Sequence, residues 1–179
     1  MALTICGNTI SYIPDECEGI NGKIIAVAFI DPCALPGSNF QDCNWWTTEV
    51  NNNRVQFIPY INGSYDGGSH TTMEGFGATD EYVTGMMHTV TFADKTVETN
   101  CEFWNLLQRS AARFHMVFFT STHMFYTGAP VNVKRTMPIT TDRKSLIVNN
   151  VTVTWSNPNV PCPQDIPANC PVLAQYNCP

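Results

Sequence analysis

An antiparallel β-sandwich or barrel flanked by one α-helix is the fold that this chain of 179 residues predicts. Three observations carry the prediction. Residues 23–30, 55–61, 86–93, 114–126, 131–138 and 146–155 are rich in valine, isoleucine, threonine and aromatic side chains, the composition of strands. Several of these segments alternate, as Val151, Val153 and Trp155 do against Thr152 and Thr154, which is the period of a sheet with one buried side. A single segment has a helical period, and strands do not alternate with helices as a parallel sheet requires.

The first strand segment contains the longest apolar run, Ile24 to Ile30, seven residues that suit one buried strand and fall far short of a bilayer span. No membrane partner is expected. Residues 31–53 form a long excursion with Pro32, Pro36, Gly37, the pair Trp45-Trp46 and the run Asn51-Asn52-Asn53. Two adjacent tryptophans call for burial, either against a neighbouring copy or in the chain's own core. Residues 62–85 read as a second excursion, broken by Gly63, Gly67, Gly68, Gly75, Gly77 and Gly85. Its aromatics Tyr65 and Phe76 join Trp45 and Trp46 as candidate contacts between subunits.

The helix is expected at about 100–112. Thr99-Asn100-Cys101-Glu102 reads as a capping box, Phe103, Leu106, Leu107 and Ala111 follow at helical spacing, and Arg109 and Arg113 sit where the helix dipole favours cations. Prolines at 158, 161, 163, 167, 171 and 179 exclude regular helix or central strand from the C-terminal stretch. The chain therefore divides into a β-domain over 1–157 and an extended tail over 158–179, which must lie over its own surface or a neighbour's.

Asp, Glu, Lys and Arg make up only 13% of the chain, about half the usual share, which suggests a surface largely covered by partners, with glycosylation or polar loops rich in Asn and Thr as the alternatives. Nine basic residues against fifteen acidic ones argue against a grip on nucleic-acid phosphates. The charge is uneven. Through residue 102 three basic residues face thirteen acids, whereas from 103 to 164 six basic residues face Asp142 alone. Complementary halves suit head-to-tail contacts between identical copies, and two ordinary solvated faces would give the same count.

Eight cysteines are an even and high number. Cys6, Cys17, Cys33, Cys43, Cys162, Cys170 and Cys178 lie towards the two ends and are the disulfide candidates, with free thiols packed as small hydrophobes equally compatible. No C-x2-C or H-x3-H spacing offers a metal site, and no cofactor motif is present. Nucleophile elbow, phosphate loop and H-E-x-x-H are all missing, and His70, His88, His115 and His123 are scattered, so catalysis is not expected.

Gly75-Phe76-Gly77, the strand from Met86 to Asp94, the amphipathic stretch Asn100-Cys101-Glu102-Phe103-Trp104-Asn105-Leu106-Leu107 and the closing Val151-Thr152-Val153-Thr154-Trp155-Ser156 together resemble bacteriophage major tail tube proteins. The stretch from Cys17 to Ala28 is similar to the opening strand of such proteins from phages of Bacteroidetes-type hosts. The likeness covers residues 17–157 and leaves the proline-cysteine tail without a counterpart. It implies a virion structural subunit, made in the host cytoplasm, whose β-sandwich closes six-membered rings that stack into a conduit. Its partners would be further copies, other tail proteins, and viral DNA passing through the lumen without specific binding. A compact chain of this size is about 40 Å across, and six of them leave a hole of about 40 Å, wide enough for a duplex. Asp80, Glu81, Asp94 and Glu98 are candidates for an acidic lumen that repels a polyanion, or are ordinary turn acids.

A second function class competes, a secreted, disulfide-stapled β-sandwich that binds sugar or protein. It draws on the cysteines and on the sequons Asn62-Gly63-Ser64 and Asn150-Val151-Thr152. The start Met1-Ala2-Leu3-Thr4-Ile5 shows no signal segment, which that class would require from a precursor.

Overall fold

Two five-residue strands, Ala26–Ile30 and His115–Phe119, are buried at every position. A strand buried on both sides needs a layer over each face, and that requirement explains the architecture. The computed structural model describes residues 2–5, 8–11, 22–35, 40–73, 82–109, 114–139 and 146–174. In chain order these form β1 (Ala2–Ile5), β2 (Asn8–Ser11), β3 (Ala26–Ile30), α1 (Cys43–Asn51), β4 (Val55–Ile58), β5 (Asn62–Tyr65), β6 (Ser69–Met73) and β7 (Tyr82–Asp94). There follow α2 (Val97–Arg109), β8 (His115–Phe119), β9 (His123–Tyr126), β10 (Asn132–Thr136), β11 (Asn149–Ser156), β12 (Gln164–Asp165) and α3 (Pro171–Ala174).

The fold is mainly antiparallel β, a sandwich with a flanking helix. One sheet runs β10-β11-β7-β5, with β6 also on β7, and the other runs β12-β9-β8-β3-β4. The hairpin β1-β2 pairs by itself. Alternation along β3 sorts its side chains: Val27 and Phe29 face the first sheet, meeting Val90, Phe92, Val151, Val153, Trp155 and Trp104 in one core. Ala26, Ala28 and Ile30 face the opposite way into a second core with Phe40, Trp46, Phe57, Phe119, Met124, Cys170 and Leu173. The second sheet is thus a middle layer, covered by the first sheet on one side and by α1 and the C-terminal stretch on the other.

Several expectations need correction. The helix starts at Val97, three residues before the expected 100, because Asp94 and Thr96 organise its entry: Thr96 N–H donates to Asp94 Oδ1 at 2.9 Å, and Asn100 N–H donates to the Thr96 carbonyl. The Thr99 box is therefore already inside the first turn. The excursion 31–53 contains the helix α1, capped by the Asp42 carboxylate on Asn44 N–H at 2.9 Å. The excursion 62–85 contains β5 and β6, and its turn is set by Asp66 Oδ1, which accepts from Gly68 N–H and Thr89 N–H. Gly68, at φ +87°, has no room for a side chain, since a Cβ there would lie 2.6 Å from the His88 ring. The expected strand 114–126 is the hairpin β8-β9, turned at Thr120, whose N–H bonds the His123 carbonyl at 2.8 Å.

The C-terminal stretch, from which helix was excluded, contains the single-turn α3 with Pro171 at its first position, where a proline's missing N–H costs nothing. Cys170 and Leu173 are buried there, and Cys170 is disulfide-bonded to Cys43 of α1.

Candidate assembly surfaces

Among the described residues the first sheet ends at β10 on one side and at β5 and β6 on the other, and the second ends at β4 and β12. Strand edges carry backbone groups that another strand can pair with. On β4, Gln56 Nε2–H donates to the neighbouring Phe57 carbonyl at 3.1 Å. On β10, Arg135 turns inward: its guanidinium donates to the Cys101 carbonyl at 3.0 Å and stands 3.6 Å from the Cys101 sulfur, tying the edge to α2. Lys134 turns outward.

That outward face of the first sheet is a grid of hydroxyls and amides. Thr152 lies opposite Lys134 and Thr91, Thr91 opposite Ser64, and Thr154 opposite Asn132 and Thr89. Ser64 and Thr91 share a hydrogen bond of 3.1 Å. Lys134 is the one charged side chain on that face among the described strand residues. Beyond β10 the surface changes character, with Ile139 73%, Leu146 79% and Ile147 47% exposed at the end of the β10-β11 pair. Leu106 on α2 and Tyr60 after β4 are 62% and 65% exposed. These positions correct the sequence pattern: Leu106, at helical spacing with Phe103 and Leu107, lies on the outer side of α2, while Tyr60 follows the end of β4 at Ile58 and Leu146 and Ile147 precede the start of β11 at Asn149, outside the strands expected to hold them.

The predicted contact residues divide. Trp46 is fully buried in the chain's own second core, where its indole N–H donates to the Phe40 carbonyl at 2.7 Å, so its ring is not a contact surface. Trp45 is half-buried against Phe40 and donates to the Ala34 carbonyl at 3.0 Å. Tyr65 packs inward on Trp155, and its hydroxyl meets His88 Nδ1 at 2.8 Å. Burial, reinforced by the Asp66 charge, pushes the Tyr65 phenol up to about 12. Phe76, Asp80 and Glu81 lie outside the described residues.

Asp94, expected at a lumen, is 5% exposed. Its carboxylate accepts from Trp104 Nε1–H at 2.7 Å, from Thr96 and from Asn149 Nδ2–H at 3.5 Å. Burial alone would raise the carboxyl; the hydrogen bonds from Thr96, Trp104 and Asn149 outweigh it and hold the group below the ordinary carboxylate value. Glu98 is exposed in the first turn of α2. Of the disulfide candidates, Cys43 and Cys170 are joined, Cys33 and Cys162 are exposed free thiols, and Cys6, Cys17 and Cys178 lie outside the described residues.

A recess of about 540 Å³ opens between β4 and α2, lined by Tyr60, Asp94, Thr96, Asn100 and Trp104 among others. Asp94 is already committed to structural hydrogen bonds, so the recess offers no unengaged carboxylate for acid-base work. His88 and His115 are held by Tyr65 and Tyr126 through their Nδ1 atoms, and His88 Nε2 also meets the Asn157 carbonyl at 2.8 Å. Among the described residues no group of three or more His, Cys, Asp or Glu could hold a metal ion, and no helix is long and apolar enough to cross a membrane.

Fold and surfaces together define a class, a two-sheet antiparallel β-sandwich whose second sheet is backed by a helix and a disulfide-fastened C-terminal stretch. Comparison with protein-family models, with curated proteins and with solved structures gives no match.

Proposed function

We propose that this chain is a structural subunit that assembles with its own copies into stacked rings, six to a ring, forming a phage tail tube through which a genome passes. The observation that carries the reading is the exposed apolar group Ile139, Leu146 and Ile147 beside the edge strand β10. Apolar surface next to an unpaired strand edge is what a subunit offers to a neighbour. The hydroxyl and amide face of the first sheet suits a lumen wall, because among the described strand residues Lys134 is the one fixed cation it offers a passing polyanion. Glu98 is a further candidate for a wall or rim acid.

The double variant Ile139→Asp with Leu146→Asp tests this reading. In sedimentation velocity the unmodified chain should form large, concentration-dependent species, while the variant stays small with an unchanged thermal midpoint. An unmodified chain that remains a monomer at every concentration would overturn it.

One observation favours the competing reading. The Cys43–Cys170 bond is the kind of staple that persists in an oxidising, extracellular setting, as in a secreted binding module. A stapled module would sediment as a monomer whether or not its apolar group is replaced.

A further inference from the structure

The chain beyond β11 is fastened at two places and mostly exposed between them. Asn157 is a locked root: its N–H donates to the Met86 carbonyl at 3.1 Å, its side-chain amide to the Thr127 carbonyl at 3.1 Å, and its own carbonyl meets His88 Nε2 at 2.8 Å. From Pro158 to Pro163 the chain is mostly exposed, and Pro158, Pro161 and Pro163 have no N–H to donate. It then docks. Gln164 and Asp165 pair with Met124 and His123 on the edge of β9, Cys170 bonds Cys43, and Leu173, 3% exposed, fills the second core.

All three docking contacts are made to groups on the body of the molecule, the β9 edge, Cys43 and the apolar bed under Leu173. A second copy presents the same three groups. We propose that this groove is an interface for residues 164–174 of a second copy, so that the arm passes from one subunit to the next and the Cys43–Cys170 bond then links two chains. The segment's fit in its own chain identifies the occupant, and exchange preserves each contact while changing only which chain supplies it. Six residues of extended, proline-rich arm reach about 19 Å. A neighbour held in an assembly supplies the high local concentration that tips the exchange. In that respect the inference rests on the proposed assembly, although pairwise exchange needs no ring. The disulfide fixes the outcome: formed within one chain it holds the arm at home, and as two thiols it leaves the arm free to move.

Isotopically light and heavy full-length chains, both reduced, provide the test. They are mixed at high concentration, allowed to assemble, and oxidised with glutathione disulfide. The Cys43 and Cys170 thiols give up two electrons and two protons, and the reagent takes them up as two molecules of glutathione. Mass spectrometry of a digest then reads the peptide pair joined through those two cysteines. Exchange predicts mixed light-heavy pairs approaching about half of the total, the statistical limit. Pairs that are only light-light and heavy-heavy would overturn it. Chains oxidised separately before mixing should give no mixed pairs, and mixed pairs there would overturn the role of the bond as a lock. Rings or tubes without mixed pairs sink arm exchange and leave the assembly reading standing; mixed pairs from particles no larger than dimers do the reverse.

Discussion

Asp94 sits in Ala93-Asp94-Lys95-Thr96, a setting that reads as a solvated turn, yet it organises the junction between β7 and α2. One oxygen starts the helix through Thr96, and the other satisfies the buried indole N–H of Trp104. Asp94→Ala should destabilise the fold by about 3 kcal/mol, the cost of losing charged hydrogen bonds and leaving an indole N–H unpaired. Urea unfolding would measure it, and a change below about 0.5 kcal/mol would place Asp94 outside the core's support, where surface substitutions fall. His115 makes a pH prediction. Buried beside Tyr126, its imidazole is held below the usual value by desolvation. The unfolded chain therefore takes up this proton first as pH falls through about 6.5. The contribution of His115 to stability is complete above that pH and is lost as pH drops towards the lowered folded value. His115→Gln should flatten the fall in urea midpoint between about pH 7.5 and 5.5, and an unchanged slope would refute the assignment.

At the scale of elements, the strands were legible because alternation survives any tertiary context: β11 buries Val151, Val153 and Trp155, the side chains its pattern predicts. The elements that escaped were those whose local signals oppose their structure. Cysteine, asparagine, tryptophan and threonine are weak helix formers, so Cys43-Asn44-Trp45-Trp46-Thr47-Thr48 reads as a loop. It becomes α1 because Trp46 is fully buried against Phe57 and Phe119. Ser69 to Met73 is exposed throughout, and its pairing with β7 leaves no hydrophobic trace in sequence. The candidate site was legible only in outline: the tryptophan pair was singled out, but which partner buried it depends on contacts far along the chain. Nor could pairing among eight cysteines be read from spacing. The Cys43–Cys170 bond spans a separation of 127 residues. Cys43→Ser with Cys170→Ser should lower stability by about 5 kcal/mol on the chain-entropy account. Thermal unfolding of this variant against the oxidised parent checks the value, and equal midpoints would show that the bond itself adds nothing to stability.

The whole molecule presents two unlike sides. The first sheet shows an almost uncharged lattice of threonine, serine and asparagine, whereas the second is covered by α1 and by an arm joined through one disulfide. At the end of the β10-β11 pair stand the exposed Ile139, Leu146 and Ile147, the surface on which the proposed ring depends. Each sheet combines strands from the acid-rich first half with strands from the base-rich second half, so the two charge blocks of the sequence do not become two separate sheets. The proposed assembly is an open-centred tube. Negative-stain electron microscopy of the purified full chain, with and without reductant, would show it. Stacked rings with a central channel about 40 Å wide are the predicted result, from the size of a compact chain. A monomer under both conditions, with no rings at any concentration, would contradict the claim and leave the stapled binding module as the better reading.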